Sequence, residues 1–138
     1  MPTVHGILET ALYVEDVQRA AEFYRRAFGF ATLLESERLI ALDVAGRSVL
    51  LLFKGGGATA AAYPTPGGVI PGHSGSGTSH FAFAIAAADV EAWTQHLRDC
   101  GVAIESVVTW PGGAVSLYFR DPDHHLAELI TPGFWTTY

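Results

Sequence analysis

The chain has 138 residues, 49% of them hydrophobic and 16% charged, which suits a single buried core and excludes a disordered polymer. Its formal charge is −6, and its eight Lys plus Arg form no cluster, which excludes the basic surface a nucleic-acid partner needs. The lone Cys100 excludes an intrachain disulfide and, with no apolar run near the ~20 residues that span a bilayer, points to a cytoplasmic protein with no membrane role.

In chain order, the first segment, Met-Pro-Thr-Val-His-Gly-Ile-Leu, lacks the basic flank of a secretory leader, so none is expected. A strand is predicted for Glu9-Thr-Ala-Leu-Tyr-Val, where Glu9, Ala11 and Tyr13 share one face and Thr10, Leu12 and Val14 the other. Asp16 is the expected N-cap of a helix whose Val17, Ala20, Ala21, Tyr24 and Phe28 recur at helical spacing, with Gly29 as its stop. One more strand fits within 31–37, and two follow at 39–44 and 48–53 about the turn Ala45-Gly46-Arg47. Residues 54–79 are rich in Gly, Ala and Pro. A loop of that length is expected to act as a mobile lid, with Tyr63, Val69 and Ile70 as its apolar members.

The second half repeats the first. His80, Ala82 and Ala84 share one strand face and Phe81, Phe83 and Ile85 the other. Asp89 is read as a helix cap, with Val90, Trp93, Thr94 and Leu97 on one side and His96 on the solvent side. Strands are expected near 103–110 and 114–119, and Arg120-Asp-Pro-Asp-His-His125 turns into a last strand, 126–130. From cap Asp to Gly is 13 residues in the first copy (16 to 29) and 12 in the second (89 to 101). An internal repeat fixes architecture before any local signal does. The fold class expected is α+β: two tandem βαβββ modules pairing into a curved, cupped mixed sheet with helices on the outside. The whole of 1–138 is one such domain, with module one at about 5–54, a loop at 55–78 and module two at about 79–132.

The repeat also places Glu9 and His80 at corresponding positions, and Glu128 closes the second copy between Ala127 and Leu129. A carboxylate in an apolar strand is costly unless paired or metal-bound. Taken alone, Glu9 fits a surface glutamate and His80 a satisfied core histidine; their equivalence favours a shared role. His124 and His125 are adjacent, so in a strand they would face opposite ways; both are read as turn residues. His5 has no supporting pattern, and His73 is read as a solvated loop histidine, with reach to a substrate as the alternative. The glycines at 55–57 and 75–77 lack the Lys-Ser/Thr of a phosphate-binding loop.

The stretch Asp-Val-x-x-Ala-x-x-Phe-Tyr-x-x-x-Phe-Gly-Phe at 16–30 and Tyr-Phe-Arg-Asp-Pro-Asp-His-His-Leu-Ala-Glu-Leu-Ile at 118–130 resemble the vicinal oxygen chelate superfamily, also called glyoxalase/bleomycin resistance/extradiol dioxygenase. The resemblance spans residues 5–132 apart from the central loop, and the second half looks most like the fosfomycin-resistance branch. It implies metal ligands at Glu9, where many relatives have His, at His80 and at Glu128. The fourth position falls on Leu51, which cannot bind a metal. Two carboxylates and one imidazole suit one divalent metal ion, Fe, Mn, Zn, Ni or Co, and leave positions open for substrate. Substrate-binding positions fall on Ser116 and Tyr118, with Tyr13 beside Glu9; sheet packing is an equal role for Tyr118.

The function expected is a metal-dependent enzyme acting on a small oxygen-rich substrate chelated to the ion, by epoxide opening, isomerisation or oxygenation. The alternative is a metal-free drug- or small-molecule-binding protein of the bleomycin-resistance type. The partners expected are a small-molecule substrate and a second copy in a homodimer, with no nucleic acid and no membrane.

Overall fold

The alternation at the start of the first copy becomes strand β1 (Glu9–Val14), and Asp16 then opens helix α1 (Val17–Phe28). The Asp16 carboxylate accepts from the amides of Gln18 and Arg19 at 2.9 and 3.1 Å, satisfying two donors the helix leaves open. Gly29 ends the helix in the left-handed region at φ 68°, where its amide bonds the Arg25 carbonyl. Strands β2 (Thr32–Glu35), β3 (Leu39–Val44) and β4 (Ser48–Lys54) follow. The sheet order is β1-β4-β3-β2, with β1 parallel to β4 and the other pairs antiparallel.

The computed structural model describes residues 1–138, in two compact units, Met1–Gly77 and Thr78–Tyr138. In the first unit, Leu12, Val14, Ile40, Leu42, Leu50 and Leu52 are buried on one sheet face, as are Ala20, Ala21 and Tyr24 of α1. Each of these Leu, Ile and Val side chains, taken fully from water, contributes about 1.5–3 kcal/mol. Phe28, expected on the buried side, is only half-buried and stacks on Phe30, while Phe23 and Ala27 join the core.

The second unit repeats the order: β7 (His80–Ala84), α2 (Val90–Asp99), β8 (Ile104–Thr109), β9 (Val115–Arg120) and β10 (Leu126–Ile130). Its sheet order is β7-β10-β9-β8, the same permutation as the first, again with one parallel pair. Leu117, Phe119, Ala127 and Leu129 are buried here, with Leu97 of α2. Asp89 does not cap α2 as expected. It ends a 3₁₀ turn, Ala87–Asp89, its backbone is already helical, and its side chain makes no capping bond. The extra turn satisfies the helix start by main-chain bonding, Asp89 N–H to the Ala86 carbonyl.

The central segment is not bare loop. It carries a small hairpin, β5 (Tyr63–Thr65) and β6 (Gly68–Ile70). Arg38 reaches it twice, donating to the Ala58 carbonyl and lying over the Tyr63 ring at 4.6 Å. No helix of the chain is long and apolar enough to cross a membrane.

Candidate metal and substrate site

The two parallel strand pairs superimpose residue for residue in register. Ala11 faces Leu51 across β1 and β4, and Ala82 faces Glu128 across β7 and β10. Glu9 is therefore the structural counterpart of His80, and Leu51 of Glu128. The module-two sheet carries two metal-capable side chains at these positions and the module-one sheet carries one.

In the second unit the two donors meet. His80 Nε2 lies 3.2 Å from Glu128 Oε2. The other ring nitrogen, Nδ1, is 3.0 Å from the Leu126 carbonyl oxygen, which can only accept, so Nδ1 carries a proton. Nε2 then faces Glu128 Oε2, so that the two groups together offer one nitrogen and one oxygen donor. A ligating histidine is oriented in this way by a backbone carbonyl on its far nitrogen. The donor set fits a divalent ion.

Glu128 is 5% exposed and held from its other oxygen. Ser116, fully buried on β9, donates to Glu128 Oε1 at 2.5 Å and accepts from the Trp110 indole N–H at 2.8 Å. One carboxylate oxygen is thus fixed by a hydroxyl, leaving the other for His80. Tyr118, directly across the ladder from Glu128, has its ring 6.2 Å from that of His80. Burial, reinforced by the neighbouring Glu128 carboxylate and opposed by a Ser116 hydrogen bond, holds the Tyr118 phenol above its ordinary value, so it stays protonated.

In the first unit, Glu9 is exposed and lines a cavity of about 800 Å³ with Ala11, Leu51 and Phe53 of the same sheet face. No three His, Cys, Asp or Glu side chains are grouped for an ion; of the three candidate ligands the structure pairs His80 with Glu128 only. Tyr13 stacks on Phe53 at 6.0 Å, and its hydroxyl is 2.5 Å from His73 Nδ1. His73 is therefore held within the unit, not solvated as the sequence suggested. His125 is no plain turn residue either: it is 1% exposed, and its Nδ1 accepts from the Ser79 amide at 2.9 Å. His124 remains exposed, at φ 64°.

The Trp110–Ser116 contact had no sequence signal, because it depends on the tight turn that bonds the Trp110 amide to the Ala114 carbonyl. His73 had a weak one. It sits in Gly72-His73-Ser74-Gly75, and glycines flanking a histidine mark a close backbone approach.

Two four-stranded mixed sheets of identical strand order, each with one helix, define a glyoxalase-type α+β protein. The chain belongs to the Glyoxalase/Bleomycin resistance protein/Dioxygenase superfamily, whose family model matches residues 6–129. It is similar to a lactoylglutathione lyase from Agrobacterium tumefaciens, with 32% identity over 98% of this chain and 99% of that one and a TM-score of 0.87. An integron cassette protein from the mobile metagenome of Halifax Harbour sewage outfall shares 26% identity over 93% and 99% of the two chains, at a TM-score of 0.73. The fosfomycin resistance protein FosX from Listeria monocytogenes, complexed with Mn(II) and sulfate, shares the fold at 22% identity and a TM-score of 0.70, over 96% and 94%. No curated protein matches the chain.

Proposed function

We propose that the protein is a metal-dependent enzyme in which Glu9, His80 and Glu128 hold one divalent cation and a small oxygen-rich substrate takes the remaining positions. The observation that carries this reading is the His80–Glu128 pair, with Nε2 and Oε2 3.2 Å apart and both far atoms already bonded to the protein. The register equivalence of Glu9 with His80 supports Glu9 as the third ligand. The Mn(II) of the Listeria neighbour is in keeping with an oxygen-rich donor set. When bound, the cation supplies Lewis-acid stabilisation of a substrate oxygen.

The candidate reactions are epoxide opening, isomerisation and oxygenation. Tyr118 presents a phenol kept protonated beside the pair, a donor for an oxygen that gains charge. Ser116 sits behind Glu128 and holds its carboxylate in place, so Ser116 is a positioning residue and Tyr118 the substrate-facing one. Tyr13 lies on the Glu9 face, with its hydroxyl committed to His73. We infer that the working form is a homodimer.

Elemental analysis of untagged protein prepared without chelator tests the reading, with about one divalent ion per chain expected. His80→Ala removes the only nitrogen donor, and Glu128→Gln keeps the shape while removing an anionic ligand. Both should lower metal affinity by at least tenfold. If both variants keep the parent's stoichiometry and affinity, the site is wrongly assigned and metal-free small-molecule binding takes its place.

A further inference from the structure

The segment around His73 is anchored on both sides. The His73 amide bonds the Thr59 carbonyl at 2.9 Å, and the Thr59 hydroxyl bonds the His73 carbonyl at 2.6 Å, with Thr59 itself only 3% exposed. A Cβ at Gly72 would lie 1.9 Å from the Ala60 carbonyl oxygen, and one at Gly75 would lie 2.4 Å from the Tyr13 ring. Glycine at both places lets the chain press against Ala60 and Tyr13, which sets the imidazole on the wall of the 800 Å³ cavity. Its ring stands edge-on to Phe53 at 4.6 Å.

A phenol donates to an imidazole nitrogen better than it accepts from one, because the ring nitrogen is the stronger base. Tyr13 O–H to His73 Nδ1 therefore leaves the proton on Nε2. Nε2 makes no hydrogen bond within the protein. The rest of the cavity is largely apolar, with Leu39, Leu51, Phe53, Tyr63 and Ile70 among its walls. Its volume is in the range of small-molecule sites. Glu9 and Glu35 line it against a single cation, Arg38, whose Nη2 donates to the Ala58 carbonyl and whose guanidinium lies over the Tyr63 ring. In the metal-free protein, that balance disfavours an anionic ligand.

We propose that this cavity binds an uncharged, ring-sized organic molecule whose carbonyl oxygen accepts a hydrogen bond from His73 Nε2–H, with Tyr13 as the residue that positions the imidazole. The cavity also holds Glu9, the proposed third ligand, so the inference extends that reading to the class of substrate, while the hydrogen bond from His73 does not depend on the metal. It is tested on full-length protein treated with chelator, which keeps a failure of either reading distinguishable from a failure of the other.

The probes are acetophenone and ethylbenzene, alike in shape and differing in the carbonyl. Acetophenone should bind the parent about threefold to tenfold more tightly than ethylbenzene, the factor of one net hydrogen bond. His73→Phe keeps the ring packing on Phe53 and should abolish that preference while sparing ethylbenzene. Tyr13→Phe should weaken acetophenone by a smaller factor. Nitrogen-15 spectra of the imidazole in the parent should show Nε2 protonated, and Tyr13→Phe should move the tautomer balance toward Nδ1, a change that loss of packing alone would not produce. The spectra also decide the matter should His73→Phe fail to fold, since acetophenone must then shift the Nε2 resonance of the parent. Equal affinity for the two probes, an unchanged preference in His73→Phe, or a proton resident on Nδ1 would overturn the proposal.

Discussion

Glu128 shows how a buried carboxylate is kept in an apolar strand. Its two oxygens are divided between a hydroxyl and an imidazole, and the hydroxyl is itself held by an indole. Ser116→Ala removes the middle of that chain and strands the buried Glu128 oxygen and the half-buried Trp110 indole N–H at once. About 2 kcal/mol of destabilisation is expected, because an orphaned buried polar group costs about 1–3 kcal/mol. Urea unfolding measures it, and a change below about 0.5 kcal/mol would show that the contact holds nothing in place. A surface pair behaves differently. Arg120 grips Glu105 by two nitrogens, at 2.8 and 3.2 Å, and the guanidinium holds the Glu105 carboxyl below its ordinary value of 4.5. A carboxylate depressed in the folded state stabilises above its unfolded value and loses that contribution as pH falls through the folded one. The difference in urea midpoint between the parent and Glu105→Gln should be present near neutral pH and shrink as pH falls below 4.5 and through the lowered folded value. A difference that grows as pH falls would contradict the pairing. At this scale the sequence was legible only where the repeat pointed. The repeat drew attention to His80 and Glu128, which the structure pairs at 3.2 Å, but the Tyr13–His73 contact spans 60 residues and leaves no periodic trace.

The two helices differ in how they begin. Asp16 has an extended backbone and accepts two amide bonds, whereas Asp89 has helical dihedrals and accepts none. Asp16→Ala should therefore cost about 1 kcal/mol and Asp89→Ala a few tenths at most, since only a working cap is lost in the first. Equal losses in the two variants, by thermal or urea melts, would mean that the cap geometry is not what stabilises α1. Strand content was easier to read than helix starts. Alternation marked β1 and β7 and the β-branched and leucine-rich runs marked β3, β4 and β10, since burying one sheet face imposes a period of two. The cap failed at Asp89 because the same Asp-Val signal precedes a helix in both copies, and only the backbone decides between a capping residue and the end of a 3₁₀ turn. The hairpin of β5 and β6 escaped for a related reason: its strands are three residues each, too short for any alternation to show.

At the scale of the molecule, repetition governs. Identical strand permutations in the two units mean that each half leaves corresponding edges open, β1 and β2 in one and β7 and β8 in the other. Two of these edges carry apolar side chains that the chain itself leaves uncovered. Leu33 and Leu34 on β2 are 58% and 52% exposed, and Val107 on β8 is 57% exposed. An open edge with apolar neighbours invites another chain and is normally shielded by charge, a bulge or a partner. β2 and β8 each contain a register irregularity, which limits unregulated pairing without hiding those side chains. A second copy is the cover expected, by pairing through an interface of about 1,200–2,000 Å². Sedimentation at micromolar concentration should then give twice the 14.7 kDa of the chain. Because association stabilises the folded state by mass action, the melting temperature should also rise with protein concentration. Leu34→Lys or Val107→Lys, placing a charge on an edge without touching the buried core, should shift the balance toward the single chain and remove that concentration dependence. A lone 14.7 kDa species in the parent, with a melting temperature that ignores concentration, would leave those edges as tolerated exposure and the dimer without support.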